Sequence, residues 1–165
     1  MRRLAVPVLI ALVLALAGCG SSSSTSAGGS SSAGTVHFAK TKFVLHAGLA
    51  FGAFHRWIYK PFKAGELQHP FSHKLTFVKA LAAGAFVVHE IKLARVDAAH
   101  SKILSRVVLP LAGVASSVAL LRAALAHHHV DSSAINSANS SIASAHAASS
   151  AAGQPITEAT SGAPI

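Results

Sequence analysis

Apolar residues in this chain recur every three or four places and nowhere alternate over a useful length. Its segments can therefore bury a face as helices but not as strands, and its prolines and glycines mark where each helix stops. Val36 to Tyr59 carries Phe43, Ala47, Ala50, Phe54 and Trp57 at this spacing. Pro61 is expected to end it, because proline lacks an N–H and clashes with the preceding turn. Pro61 to Pro70 then reads as a connection. A second helix is expected from Ser72, as N-cap, to about Leu104. On it Leu75, Val78, Ala82, Phe86, His89, Leu93, Val96, His100 and Ile103 form one stripe. A second row, Phe77, Leu81, Gly84, Val88 and Ile91, leaves the first half apolar on two sides, the pattern of a helix enclosed by neighbours. Lys79, Glu90 and Asp97 share the remaining face, expected to be a solvated stripe with ion pairs. Pro110 suits the first turn of a third helix, running to about His127. There Ala112 with Ser116 and Gly113 with Ser117 place small residues four apart, as close helix packing requires. Val107 to Leu121 is 15 uncharged residues between Arg106 and Arg122. That is short of the roughly 20 needed to span a bilayer, so a span is not expected, while shallow membrane contact stays open. Asp131 is a good N-cap for a fourth segment, Ser132 to Ala152, stopped by Gly153 and Pro155. Its large apolar residues are Ile135 and Ile142 alone, so 131–165 reads as an Ala/Ser-rich helix or a disordered tail, with 154–165 a loose end. The fold class is all-α: a small bundle of three to four helices.

The N-terminus has a different logic. Arg2 and Arg3 precede a 14-residue uncharged run, Leu4 to Ala17, and small residues lead into Cys19, the one cysteine of the chain. Charge, apolar run and small-residue exit are the order of a secretory signal. Leu16-Ala17-Gly18-Cys19 resembles the lipobox of bacterial lipoproteins. The resemblance implies that residues 1–18 are a cleaved signal peptide. It also implies that Cys19 receives a diacylglyceryl group and a palmitate-type chain. The mature protein is then lipid-anchored to the extracytoplasmic face of the cell membrane. Several acyl chains on one residue hold where a single chain holds only marginally, and a lone cysteine has no disulfide to form. Residues 19–34 are almost all Ser and Gly after the cysteine, the composition of a disordered, flexible tether.

The domain that follows, 35–130, is long enough for one core and strongly basic. It holds twelve of the 14 Lys and Arg but three acids, Glu66, Glu90 and Asp97. A basic exported domain meets anionic lipid or wall polymer. Nucleic acid is excluded as a partner by the export signal. Catalysis finds few acids here: Glu90 and Asp97, seven apart, stand about 10 Å apart along a helix, unlike a glycosidase pair. No phosphate loop, no Gly-x-Ser-x-Gly elbow and no His-Glu-x-x-His occurs. The chain therefore reads as non-enzymatic, a binding or structural module of the cell envelope contacting anionic lipid, wall polymer or a protein partner.

Two chemical hints remain. Histidine is abundant, 11 residues. His89 and His100 fall on one helical face three turns apart, and each is a candidate to meet His46 or His55 from another helix, as metals and haem are held in bundles. The alternative function is accordingly a histidine-based carrier of a transition metal or haem. Against it stand the scarcity of carboxylates to orient the ligands and the ordinary role of histidine as a hydrogen-bonded core residue. His69 with His73, and His127-His128-His129, offer looser chelators. The second hint is Phe51 to Lys63, with the only Trp and Tyr. Arg56, Trp57, Tyr59, Lys60, Phe62 and Lys63 are the side chains of a membrane interface or partner contact. They serve equally as an aromatic core corner with its cations turned outward.

Overall fold

The computed structural model describes residues 32–159; the export segment, Cys19 and the start of the tether lie outside them. Four long helices form an antiparallel bundle, and among the described residues there is no strand. α1 is Ser32–Phe54, extended by a π-helical turn, His55–Tyr59, and by the short α2, Lys60–Lys63. α3 is Lys74–Ala99, α4 Val108–Ala126 and α5 Ser132–Ala151. Consecutive long helices pack side by side through short connections, which makes neighbours antiparallel. The ring closes through side chains of α1 and α5, so α3 and α5 stand diagonally opposite.

The first helix outruns Pro61. Proline cannot donate to the carbonyl four residues back, and the chain answers by widening: Lys60 N–H bonds to the His55 carbonyl, five residues back. The π-turn absorbs the missing bond. Helix then continues to Lys63, and Gly65, at φ 78°, supplies the left-handed residue that ends it. α3 is shorter than expected at both ends. His73, not Ser72, holds its N-cap position. At the other end His100 Nδ1–H donates to the Val96 carbonyl at 2.6 Å, satisfying one of the terminal carbonyls left free by the helix. α5 starts as its sequence predicts: Asp131 accepts from Ser133 N–H at 2.8 Å and from the Ser133 hydroxyl at 2.7 Å.

The core is built from large residues of α1 and α4 against small ones of α3 and α5. Phe43, Phe51, Phe54 and Ile58 from α1 meet Leu111, Val114, Leu121 and Leu125 from α4. Between them α3 contributes Ala80, Ala83, Val87, Ile91 and Ala94, and α5 adds Ile135, Ala138, Ile142 and Ala145. Alternating bulk of this kind fills an interior without voids. The core row of α3 is thus one containing Phe77 and Ile91. The long stripe Leu75 to Ile103 faces outward instead, with Leu75 68% and Val96 56% exposed. Helix α3 is not enclosed by neighbours.

Two more expectations are corrected. The small residues of α4 admit no helix: a side chain at Gly113 would meet open space. The close approach occurs on α1, at Gly48 and Gly52, and its partner is the chain's own end. Residues 154–159 are extended and run back along α1. Ala159 N–H bonds to the Gly48 carbonyl at 3.0 Å, and Ile156 is buried. A Cβ on Gly48 would collide with the Thr157 carbonyl oxygen, and one on Gly52 with that of Ala159. This part of the expected loose end is therefore packed. Helix Leu104–Ala126, counted with its entering 3₁₀ turn, is 23 residues and contains an 18-residue window of mean hydropathy 1.8, long and apolar enough to cross a membrane by length and composition. The count of 15 stops at the two arginines, which the longer helix includes. Its inward row, from Leu111 to Leu125, is nonetheless core.

Candidate functional site

The acids of the bundle are spent internally. Glu90, expected on a solvated face, is buried in the α1–α3 seam, where His46 Nδ1–H donates to its Oε2 at 2.6 Å. Asp97 lies 3.8 Å from the other ring nitrogen of His46. His46 thus sits between two carboxylates one helical face supplies, which removes the cost of burying Glu90 unpaired. Glu66 accepts from the Thr76 hydroxyl at 3.0 Å, and Asp131 is occupied as a helix cap. The Asp131 carboxyl is held below its ordinary range by the Ser133 hydroxyl and N–H. Glu158, on the packed tail, receives His55 Nδ1 at 2.8 Å and lies 3.4 Å from His146 Nε2. These five are all the acids of the chain.

The consequence is a positive surface with nothing to offset it. Among the described residues every ion pair has histidine as its cation, and no Lys or Arg lies within reach of a carboxylate. Lys42, Arg56, Lys60, Lys63, Lys74, Lys92, Lys102, Arg106 and Arg122 are exposed. The Arg95 Nε is buried without a hydrogen-bond partner.

The aromatic-basic segment divides as its core-corner reading has it. Trp57, Tyr59 and Phe62 are half-buried and packed against the core, whereas Arg56, Lys60 and Lys63 point to solvent. Arg56 and Lys79 stand over the Trp57 ring, at 5.0 and 5.1 Å from its centroid, as cation–π partners. The π-turn carries Arg56, Trp57 and Tyr59, and the helical turn after it carries Lys60, Phe62 and Lys63.

The four candidate ligand histidines are not brought together. His46 is engaged by Glu90 and Asp97, and His55 by Glu158 and, through Nε2 at 2.9 Å, by Asn139. His100 caps α3, and His89 lies on the outward stripe of that helix. The imidazole pair that does meet a common atom is His55 with His146, at Glu158. His146 was missed because it lies in the Ala/Ser segment, where no sequence signal points to it; its ring centroid stands 4.9 Å from that of Phe51. His128 turns its ring onto Phe71 and Phe77, so the triple histidine does not converge as a chelator. Among the described residues no group of three or more His, Cys, Asp or Glu is placed to hold a metal ion.

What these elements define is a class of protein: an all-α four-helix bundle with a basic exterior, whose acids are each engaged by a neighbouring histidine, hydroxyl or helix end. Beyond that class no relative steps forward. No protein-family model matches the chain, and neither the curated proteins nor the solved structures contain a match.

Proposed function

We propose that this protein is a non-enzymatic envelope lipoprotein, anchored through acyl chains on Cys19 at the extracytoplasmic face of the membrane, whose helical domain binds an anionic surface ligand. The observation that carries this reading is the distribution of charge. All five acids are engaged by histidines, hydroxyls or a helix end, while among the described residues the lysines and arginines are left without carboxylate partners. Net charge of +9 in that arrangement attracts anions at long range. The lipobox-like segment supports the anchor and brings the domain to anionic headgroups and wall polymer.

The test is co-sedimentation of the unacylated chain, from residue 19 onward with Cys19→Ser so that no acyl anchor holds it, with anionic against neutral surfaces across a salt series. Association with the anionic surface is expected to weaken steadily as salt rises, because exposed charges are screened beyond about 10 Å at 0.1 M. Retention that ignores both surface charge and salt overturns the reading.

A further inference from the structure

The outward side of α3 is apolar from end to end. Leu75, Val78, Ala82, His89, Leu93 and Val96 fall within an arc of about 80° on an ideal helix, and Phe71 and Ile103 continue the line beyond its ends. Phe71 is 78%, Val78 60% and Ile103 50% exposed. On neighbouring α4, Leu109 and Leu120 are exposed as well. Between the two helices runs an open apolar groove of about 730 Å³, floored by Leu81, Ala82, Ala85 and Ala123. A smaller apolar cleft of about 280 Å³ opens beside Phe71 and Phe77, with Lys74 at its mouth. A continuous surface of this kind on a bundle needs an occupant.

Two observations say which. First, the stripe is bordered by cations and no free acid: Lys74 and Lys92 lie about 70° to one side and Lys79 about 70° to the other, where Asp97 shares its angle and faces His46. Arg122 emerges by the groove, its stem packed on Gly84. A second copy pressed against this face would bring two cation-bordered stripes together without acids to pair them. An anionic bilayer offers headgroups to the border and acyl chains to the stripe. Second, the diagonal helix is the opposite in character. α5 holds no Lys, Arg, Asp or Glu, and exposes Asn136, Ser137, Ser140 and Ser144 to solvent. The bundle as a unit is amphipathic across the α3–α5 diagonal.

We infer that the α3–α4 face is a membrane-docking surface, on which the bundle lies flat against an anionic bilayer with α5 turned to the aqueous side. The inference rests on the anchored, anion-binding reading above and assigns it a face and a ligand, the lipid bilayer itself.

The experiment uses the full lipidated chain, whose acylated Cys19 leaves an introduced cysteine as the available thiol. Leu75→Cys, Val96→Cys, Leu120→Cys, Lys60→Cys and Ser140→Cys are each spin-labelled. Each is reconstituted into vesicles of phosphatidylcholine alone or of equal parts phosphatidylcholine and phosphatidylglycerol. Accessibility is read with dissolved oxygen and with a water-soluble nickel chelate. On anionic vesicles the labels at 75, 96 and 120 are expected to gain oxygen and lose nickel accessibility several-fold, with 140 unchanged. On neutral vesicles all five stay in water. Labels at 75, 96 and 120 that remain open to nickel overturn the inference. If the label at 60 then responds to anionic lipid, the proposed function stands and only the face is wrong. If no label responds, the proposed function falls as well. Mutual broadening of the 75 or 96 labels assigns the stripe to a second copy, and protection by a soluble polyanion without vesicles assigns it to wall polymer. Either result overturns lipid docking.

Discussion

Glu90 shows how little a residue's place on a helical wheel reveals about its burial. On sequence it belongs with Lys79 and Asp97 on a solvated face, yet it is in the seam with α1, 2.6 Å from His46. The reason is that α1 packs on that side of α3 and brings a nitrogen donor to it. Removing one partner leaves the other desolvated, whereas replacing both with apolar side chains of similar size removes the polar burden altogether. Glu90→Ala is therefore expected to destabilise the fold by about 1–3 kcal/mol, and His46→Leu/Glu90→Leu to recover most of that. Denaturant titration of the three variants gives the comparison. Asp131 is the contrasting residue, one that was legible. An acid followed by two serines before an Ala/Ser helix is a cap signature, and both serine-133 donors reach it. Because its folded carboxyl titrates below the ordinary 3.8, its contribution is present above that pH and lost as pH falls through the lower folded value. Asp131→Ala should lower Tm at neutral pH and show a flatter stability profile below pH 4 than the parent, as thermal melts across acid pH would register.

The helices themselves were largely visible in the spacing, and the departures have local causes. Pro61 forbids one hydrogen bond and not a helix, so a π-turn carries α1 past it. That outcome depends on Phe54 and Ile58 being held in the core on either side of the irregularity. The terminal segment 154–159 was not visible, because an extended strip carries no periodicity and is placed by what it lies on. Its platform is the Gly48-x-x-x-Gly52 spacing of α1, the same small-residue signature sought, wrongly, on α4. Gly48→Ala or Gly52→Ala puts a methyl where a tail carbonyl sits. Overpacking of this kind costs about 1–3 kcal/mol. The expected result is release of 154–159 with α1 intact, seen as loss of hydrogen-exchange protection at Ala159 N–H and faster proteolysis there.

For the assembled bundle, the cations outnumber their possible partners, and histidines take the acids that would otherwise quench them. Lys74 and Lys92 border the apolar stripe of α3, and near an anionic bilayer each contributes about 1 kcal/mol. Lys74→Glu/Lys92→Glu is expected to weaken association with phosphatidylglycerol-containing vesicles by tenfold or more at low salt while leaving Tm close to the parent, because both residues are exposed. Flotation assays on the unacylated chain with Cys19→Ser, paired with thermal melts, read both quantities. The sequence by itself determined the helical class, the stop at Gly153, the Asp131 cap and the excess of positive charge, since each depends on neighbours a few residues away or on composition alone. Tertiary structure decided which face of α3 is core. Both faces are apolar at helical spacing, so periodicity cannot rank them. The smaller residues Ala80, Ala83, Ala94 and Ala98 went inward, where the large side chains of α1 and α4 left no room for Leu75, Leu93 or Val96. Close packing of volumes, and not hydrophobicity, made that choice.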